Sequence, residues 1–154
     1  MKLSKTIKKS AIRLQLRAAT KGEALEELVD LLCSAYRLKH RKEILEAILQ
    51  REEKQSTGVG MGLAVPHAKT PVVRKLYVAF ASHRNGIDFD STDGEKACLF
   101  FILVSPRDVS GPHIKALASI SRLVKHEEFR KVLLSCPDEK SFFDLVKKAE
   151  AKYL

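Results

Sequence analysis

The sequence predicts an α/β fold, a three-layer α/β/α sandwich with a central mixed β-sheet flanked by helices, built as one domain over residues 1–154. Three observations lead there. Helical patterns fill the first third of the chain, strand-like runs the middle, and helical patterns return after Ser105-Pro106. The longest unbroken apolar run, Ala97 to Val104, is strand-like and far shorter than the roughly 20 residues of a membrane span. A chain of 154 residues can bury a core without disulfide or metal staples, and no internal repeat, low-complexity linker or domain boundary interrupts it.

Leu3 and Ile7 have the four-residue spacing of a short helical turn, and Ile12, Leu14 and Leu16 alternate like a strand. Thr20 stands three residues before Glu23, a capping-box spacing, and opens a helix with Ala24, Leu25, Leu28, Leu31, Leu32 and Tyr36 on one face. The basic cluster Arg37 to Lys42 separates it from a second helix with the stripe Ile44, Leu45, Ile48 and Leu49, ending near Lys54. From Gln55 to Pro71, Gly58, Gly60 and Gly62 leave the backbone free to take positive φ ahead of the stretch Leu63-Ala64-Val65. Leu76 to Ser82 and Ala97 to Val104 read as strands. Between them Arg84-Asn85-Gly86 is a turn signal, Ile87 and Phe89 suggest a short strand, and Asp93-Gly94 marks another turn. Ser110-Gly111-Pro112 reads as a helix start, with Ile114, Leu117, Ile120, Ser121 and Val124 as the helix face. A short helix over Glu127 to Leu134 and a last one carrying Phe142, Phe143, Leu145, Val146 and Ala149 complete the pattern.

Hydrophobic residues make up 45% of the chain and charged residues 31%, too apolar for a disordered protein. The net charge of +9 is mostly an N-terminal property. Residues 1–21 hold seven Lys or Arg and no acid, whereas the rest carries 21 basic and 19 acidic groups. Such a segment could meet RNA, an acidic membrane surface or an acidic partner, or form a solvated face. Cys33, Cys98 and Cys136 are widely spaced with no C-x-x-C pair, which supports neither a zinc ribbon nor a thioredoxin-type site. With no signal peptide visible, the expectation is buried, reduced thiols in a cytoplasm.

Two histidines stand out. His67 follows the glycine-rich stretch behind Pro66, which stiffens its approach, and a histidine so held can act as nucleophile, base or metal ligand. His113 falls in the first turn of an expected helix, where free amides and the dipole favour an anion; it could equally be an ordinary capping or surface residue. His40, His83 and His126 lie beside charges, turns or helix starts and are expected to touch solvent. A metal site of His67, His113 and an acid lacks H-x-x-x-H or H-E-x-x-H support. The Gly58–Gly62 run is neither a P-loop nor a dinucleotide fingerprint, and there is no G-x-S-x-G elbow. No basic-aromatic RNA motif appears, which makes nucleic-acid reading through stacked bases unsupported.

Taken together, Arg51-Glu52, Ser56-Thr57-Gly58-Val59-Gly60 and Gly62-Leu63-Ala64-Val65-Pro66-His67-Ala68-Lys69 resemble the signature of the mannitol/fructose-type IIA component of the bacterial phosphoenolpyruvate-dependent phosphotransferase system. Gly86-Ile87-Asp88-Phe89 with Asp93-Gly94 resembles the middle section of that family. Gly111-Pro112-His113-Ile114 with Leu117-Ala118 resembles its second-histidine helix, and Lys21-Gly22-Glu23-Ala24-Leu25 its first helix. The resemblance spans roughly Leu3 to Ala149.

It implies that His67 is phosphorylated by a small histidine phosphocarrier protein (HPr or a paralogue) and passes the group on. It also implies that His113 hydrogen-bonds the phosphoryl oxygens, that Arg51 is the nearby cation, and that Thr57 and Gly58 belong to the loop shaping the pocket. Phosphoryl transfer asks for an in-line nucleophile and stabilised equatorial charge, and a neutral imidazole can attack only if an acceptor holds its proton on the other nitrogen. No metal or cofactor is implied, because phosphohistidine is already activated. A chain of 154 residues with no IIB or IIC domain is expected to be a stand-alone regulatory member resembling the nitrogen-regulatory IIA proteins, acting on an unidentified target protein. The N-terminal charge excess is larger than this family usually carries. It leaves an alternative: a binding module without transfer that holds nucleic acid or an acidic partner through that segment. A metal-dependent hydrolase is a third, weaker reading.

Overall fold

In the computed structural model, which describes residues 1–154, the strands form a single mixed sheet. Its strands are β1 (Ile12–Arg13), β2 (Gly58–Gly60), β3 (Leu63–Ala64), β4 (His67–Lys69), β5 (Tyr77–Ile87) and β6 (Ala97–Ser105). The order is β1-β5-β6-β3-β2, with β4 lying beside β6 beyond the end of β3. β5 and β6 are antiparallel, while β1 runs parallel to β5 and both β3 and β4 run parallel to β6.

β6 is the axis of the molecule. From Leu99 to Ser105 every residue is buried, so side chains pointing to both faces of the strand are covered. Helices α2 (Lys21–Tyr36) and α3 (Arg41–Lys54) form one group against the sheet. Helices α4 (Gly111–Val124), α5 (Glu127–Leu134) and α6 (Glu139–Tyr153) form the other, with the short α1 (Leu3–Thr6) packed on α4 and α6. This is the three-layer arrangement expected. Phe80 meets its cross-strand partner Phe101 at a ring-centroid separation of 4.9 Å and Phe142 of α6 at 4.7 Å. The adjacent Phe100 meets Phe89 at 5.7 Å.

Local signals placed the helix boundaries. Thr20 and Glu23 form both halves of the capping box at α2, and Arg37 ends that helix in a left-handed conformation, φ 55°, its N–H donating to the Cys33 carbonyl. Asp138 caps α6 through the N–H of Ser141.

Several expectations need correction. The Ile12–Leu16 strand is cut to two residues, because the chain bends away after Arg13 and only the Leu16 N–H returns to the edge, donating to the Ser82 carbonyl. Arg84-Asn85-Gly86 is not a chain reversal: β5 runs through it as a bulge, with Ser82 opposite Leu99 and Ile87 already opposite Ala97. The Gly86 N–H donates to His83 Nδ1 inside that bulge, and the expected Ile87–Phe89 strand is the end of β5 followed by a loop. Leu49 lies on the exposed side of α3, leaving Ile44 and Ile48 as its buried apolar residues. On α4 the buried face is His113, Ala116, Ile120, Leu123 and Val124, whereas Ile114 is 62% exposed and Ser121 faces out.

The basic N-terminal segment is woven into the fold. Leu3 and Ile7 are buried, Ser4 Oγ donates to the buried Glu150 carboxylate at 2.5 Å, and Ser119 Oγ donates to the Met1 carbonyl. Lys8 Nζ donates to the Ala35 carbonyl, Arg13 pairs with Glu27 at 3.0 Å, and Lys21 lies between Glu52 and Asp90. Cys33 and Cys136 are buried as expected, but Cys98 of β6 is half-buried. Burial raises all three thiols above their ordinary pKa. No helix is long and apolar enough to cross a membrane.

Candidate functional site

β3 and β4 are two pieces of one edge. Ala64 pairs with Phe100 and His67 with Leu103, so the register alongside β6 is the same on both sides of the break. The break falls at Val65-Pro66: the Val65 N–H turns to the Thr57 carbonyl, and Pro66 has no N–H to offer, although its carbonyl accepts from Leu103. With the period of a strand, Leu63, Val65, His67 and Lys69 fall on one side of this edge.

That side carries two adjoining cavities of about 460 and 480 Å³. Arg51, His67 and Leu117 line both. The first is largely apolar, with Val59, Met61, Leu63 and Val65 beside Thr57. The second is basic, with Lys54, Lys69 and Arg107 beside His113 and no carboxylate in its lining. His67 therefore sits at the seam of an apolar and a cationic hollow.

The His67 ring is held from behind. Its Nδ1 lies 2.8 Å from the carbonyl oxygen of Val65. A carbonyl can only accept, so Nδ1 carries the proton and donates it, leaving Nε2 with its lone pair. Burial holds the His67 pKa below the ordinary value. The Arg51 charge acts in the same direction, while the Val65 carbonyl and the Glu52 charge oppose it. The imidazole is therefore neutral at pH 7.

His113 is brought beside it from the opposite end of the chain order. It is the third residue of α4, whose start lies next to the end of β6, and its ring centroid is 5.5 Å from that of His67 at an interplanar angle of 61°. His113 is 4% exposed, and its Nδ1 is 2.6 Å from the hydroxyl of the fully buried Ser105. Burial, with the neighbouring His67 and Lys69 charges, lowers its pKa to about 4.

Arg51 stands in the last turn of α3 and donates through one guanidinium nitrogen to the Gln55 carbonyl at 2.8 Å, which anchors the group at the helix end. Thr57 lines the apolar cavity, but its N–H and hydroxyl both donate to the carboxylate of the buried Glu52, at 2.8–3.0 Å. Gly58 lines neither cavity. It packs against the following loop, where a Cβ would meet Ser91 Oγ at 2.5 Å and the Phe89 carbonyl at 3.0 Å. Met61 is held at φ 57° between Gly60 and Gly62, its N–H donating to Asp93, and its side chain is left half exposed at the rim.

Thus Arg51, His67 and His113 share one hollow, Thr57 borders it, and Gly58 supports it from outside. His40, His83 and His126 are elsewhere: His40 is exposed, His83 belongs to the β5 bulge, and His126 stacks on Tyr153 at 3.5 Å. No group of three His, Cys, Asp or Glu side chains is arranged to hold a metal ion. Sequence reasoning did not single out Lys54, Lys69, Arg107 or Ser105. Lys69 could have been found by its two-residue spacing from His67, but the others join the site only through tertiary contact.

The mixed sheet thus holds a histidine on a proline-broken edge, facing a second histidine and an arginine. Residues 5–149 match the family described as "Phosphoenolpyruvate-dependent sugar phosphotransferase system, EIIA 2", and the chain belongs to that family. It is 40% identical over 135 residues to the PTS system fructose-specific EIIA component of Haloferax volcanii, covering 88% of each chain. It is 34% identical to a nitrogen regulatory protein of Bradyrhizobium diazoefficiens, covering 95% of each. It also shares 36% identity with the fructose-specific EIIABC component of Bacillus subtilis, spanning 95% of this chain but only 23% of that much longer protein. Among solved structures, the nitrogen regulatory protein IIA-Ntr of Neisseria meningitidis superposes with a TM-score of 0.86 at 26% identity, covering 94% of this chain and 98% of that one.

Proposed function

We propose that residues 1–154 act as one phosphohistidine carrier unit, taking a phosphoryl group from an HPr-like histidine phosphocarrier protein onto His67 Nε2 and acting through phosphorylation-dependent transfer or protein binding. The observation that carries this reading is the Val65–His67 hydrogen bond, which supplies the neutral tautomer with Nε2 free at the seam of the two cavities.

In the transfer, the Nε2 lone pair of His67 attacks phosphorus in line. The N–P bond on the donor breaks, its electron pair returns to the donor imidazole, and a new N–P bond forms on His67. Little covalent work is asked of the protein beyond holding this line and stabilising the three equatorial oxygens. Arg51 supplies positive charge on one side. His113 supplies a hydrogen bond on the other, and Lys54, Lys69 and Arg107 add an electropositive surround. The depressed pKa of His67 keeps the nucleophile unprotonated in the resting protein. Thr57, tied to Glu52, and Gly58, packed on Phe89–Ser91, hold the loop that walls the cavity.

The rim suits a protein donor. Ile114, Val59 and Met61 are exposed apolar side chains around Leu117, beside the cationic hollow. A macromolecular partner can cover such a surface, whereas scattered polar loops would offer it little. The likeness to nitrogen regulatory proteins over nearly the full length of both chains supports a regulatory output.

The test is intact-mass spectrometry after incubation with phosphoenolpyruvate, enzyme I and the histidine phosphocarrier protein. Gain of one acid-labile phosphoryl group, lost in His67→Ala, is expected. Retained labelling in that variant would remove His67 as the acceptor. No gain in the wild-type chain with a cognate donor would leave a binding module in its place.

A further inference from the structure

We propose that Ser105 is the positioning residue of this site: its hydroxyl donates to His113 Nδ1 and so holds His113 as the neutral Nε2–H tautomer, a hydrogen-bond donor aimed into the cavity that His67 shares. This rests on the reading of His67 as phosphoryl acceptor and adds a residue to it.

Every polar atom of the buried pair has to be satisfied. Ser105 closes β6 and is 0% exposed. Its backbone carbonyl accepts from Thr70, and its hydroxyl has a single partner, His113 Nδ1 at 2.6 Å. A hydroxyl has one hydrogen to donate, and a neutral imidazole has one donor and one acceptor nitrogen. If Nδ1 carried the His113 proton, that proton would point at Ser105 Oγ and the buried hydroxyl hydrogen would have no acceptor. A stranded buried donor costs about 1–3 kcal/mol. If Nδ1 is instead the acceptor, the hydroxyl donates to it, the buried pair is complete, and the imidazole proton moves to Nε2.

His113 Nε2 has no protein partner, yet no buried side-chain nitrogen or oxygen in the structure is left without one. Nε2 is therefore at the cavity surface, where the lining includes His67, Arg51 and Lys69. The two histidines are held in complementary tautomers by different partners: a carbonyl on His67 Nδ1 exposes a lone pair, and a hydroxyl on His113 Nδ1 exposes an N–H. One attacks phosphorus and the other offers a proton to a phosphoryl oxygen. A neutral donor also suits a reversible transfer, because it keeps its own proton throughout and adds no full charge that would trap the product.

The experiment uses the full chain with 15N-labelled histidine and reads the ring nitrogens of His113 by long-range 1H–15N correlation at neutral pH. The wild-type spectrum is expected to show a protonated Nε2 and an acceptor Nδ1; a protonated Nδ1, or a doubly protonated ring, overturns the proposal. Ser105→Ala is expected to shift His113 toward a mixture of tautomers and to slow phosphoryl uptake about ten-fold, the order by which partners behind a functional histidine act. Ser105→Thr, which restores a hydroxyl, is expected to recover the tautomer and most of the rate. Unchanged tautomer and rate in Ser105→Ala would also overturn it. Should the alanine variant fail to fold, the wild-type spectrum alone decides which ring nitrogen carries the proton. Because the spectrum needs no phosphoryl donor, failure of this proposal is distinguishable from failure of His67 to accept phosphate.

Discussion

The Nδ1 atom of His67 donates to the carbonyl of Val65, two residues back along the chain and on the other side of Pro66, at 2.8 Å. The bond exists because the edge strand is interrupted there. Val65 gives its N–H to Thr57, and Pro66 contributes a carbonyl to Leu103 but no donor. A side chain thus takes over an acceptor that an unbroken ladder would have consumed. The proline that breaks the strand is part of what orients the histidine.

This relationship predicts the chemistry of the product. Phosphorylated protein examined by 31P–15N correlation under alkaline conditions is expected to carry phosphorus on Nε2. Phosphorus on Nδ1 would mean that the Val65 bond opens before transfer and would refute the tautomer argument for His67.

His113 makes stability depend on pH in a defined window. In the unfolded chain it binds a proton near its ordinary value of 6.5, but in the folded protein not until about 4. The unfolded state therefore holds more protons between these values. Stability is complete above 6.5 and falls as pH drops toward 4, by about 3 kcal/mol from this residue. His67, also depressed, adds in the same direction. Urea midpoints across this range are expected to fall in the wild type and to fall less in His113→Gln. Glu23, Asp93 and Asp138 are likewise depressed, but they act below their ordinary values of 4.5 and 3.8. An equal slope in wild type and variant above pH 4.5 would contradict the assignment.

Arg51→Ala is expected to slow phosphoryl uptake by about 100-fold, the order seen when a preorganised donor to developing charge is removed. Arg51→Lys should recover only part of the loss. The guanidinium can hold the Gln55 carbonyl and still face the cavity, whereas a lysine ammonium cannot reproduce that fork. Rapid-quench transfer rates for the two variants check this; full activity in Arg51→Lys would reduce Arg51 to a diffuse positive charge.

Thr57→Val tests the wall of the cavity. Its hydroxyl and N–H both donate to the buried Glu52 carboxylate, which Lys21 approaches at 3.5 Å. Losing the hydroxyl leaves an ionised acceptor short of one donor, at a cost of about 1.5–3 kcal/mol. Urea unfolding should show that loss and Thr57→Ser should remove most of it. A change within about 0.5 kcal/mol, typical of an inert position, would show the contact to be unimportant.

The sequence by itself determined what depends on neighbours along the chain. Periodicity placed α2, α3, α4, α5 and α6, the Thr20–Glu23 spacing marked a real capping box, and the eight apolar residues after Lys96 announced the central strand. The Pro66-His67-Ala68-Lys69 segment and the distant Gly111-Pro112-His113 together carried the family to which the chain belongs. What only the tertiary structure decided is what depends on contacts through space. Arg84-Asn85-Gly86 has the composition of a turn, but pairing with β6 carries the strand through it as a bulge. Ile114 and Leu117 share a periodicity with the core of α4, yet the docking of that helix buries His113 and Ala116 and turns Ile114 to the rim. The meeting of Ser105 with His113, and of Lys54 and Arg107 with His67, follows from how β6 and the starts and ends of α3 and α4 converge. A pattern along the chain can say which side chains avoid water, but a hydrogen bond needs two groups within about 3 Å of each other. Only the register of the sheet and the packing of its helices bring such groups to that distance.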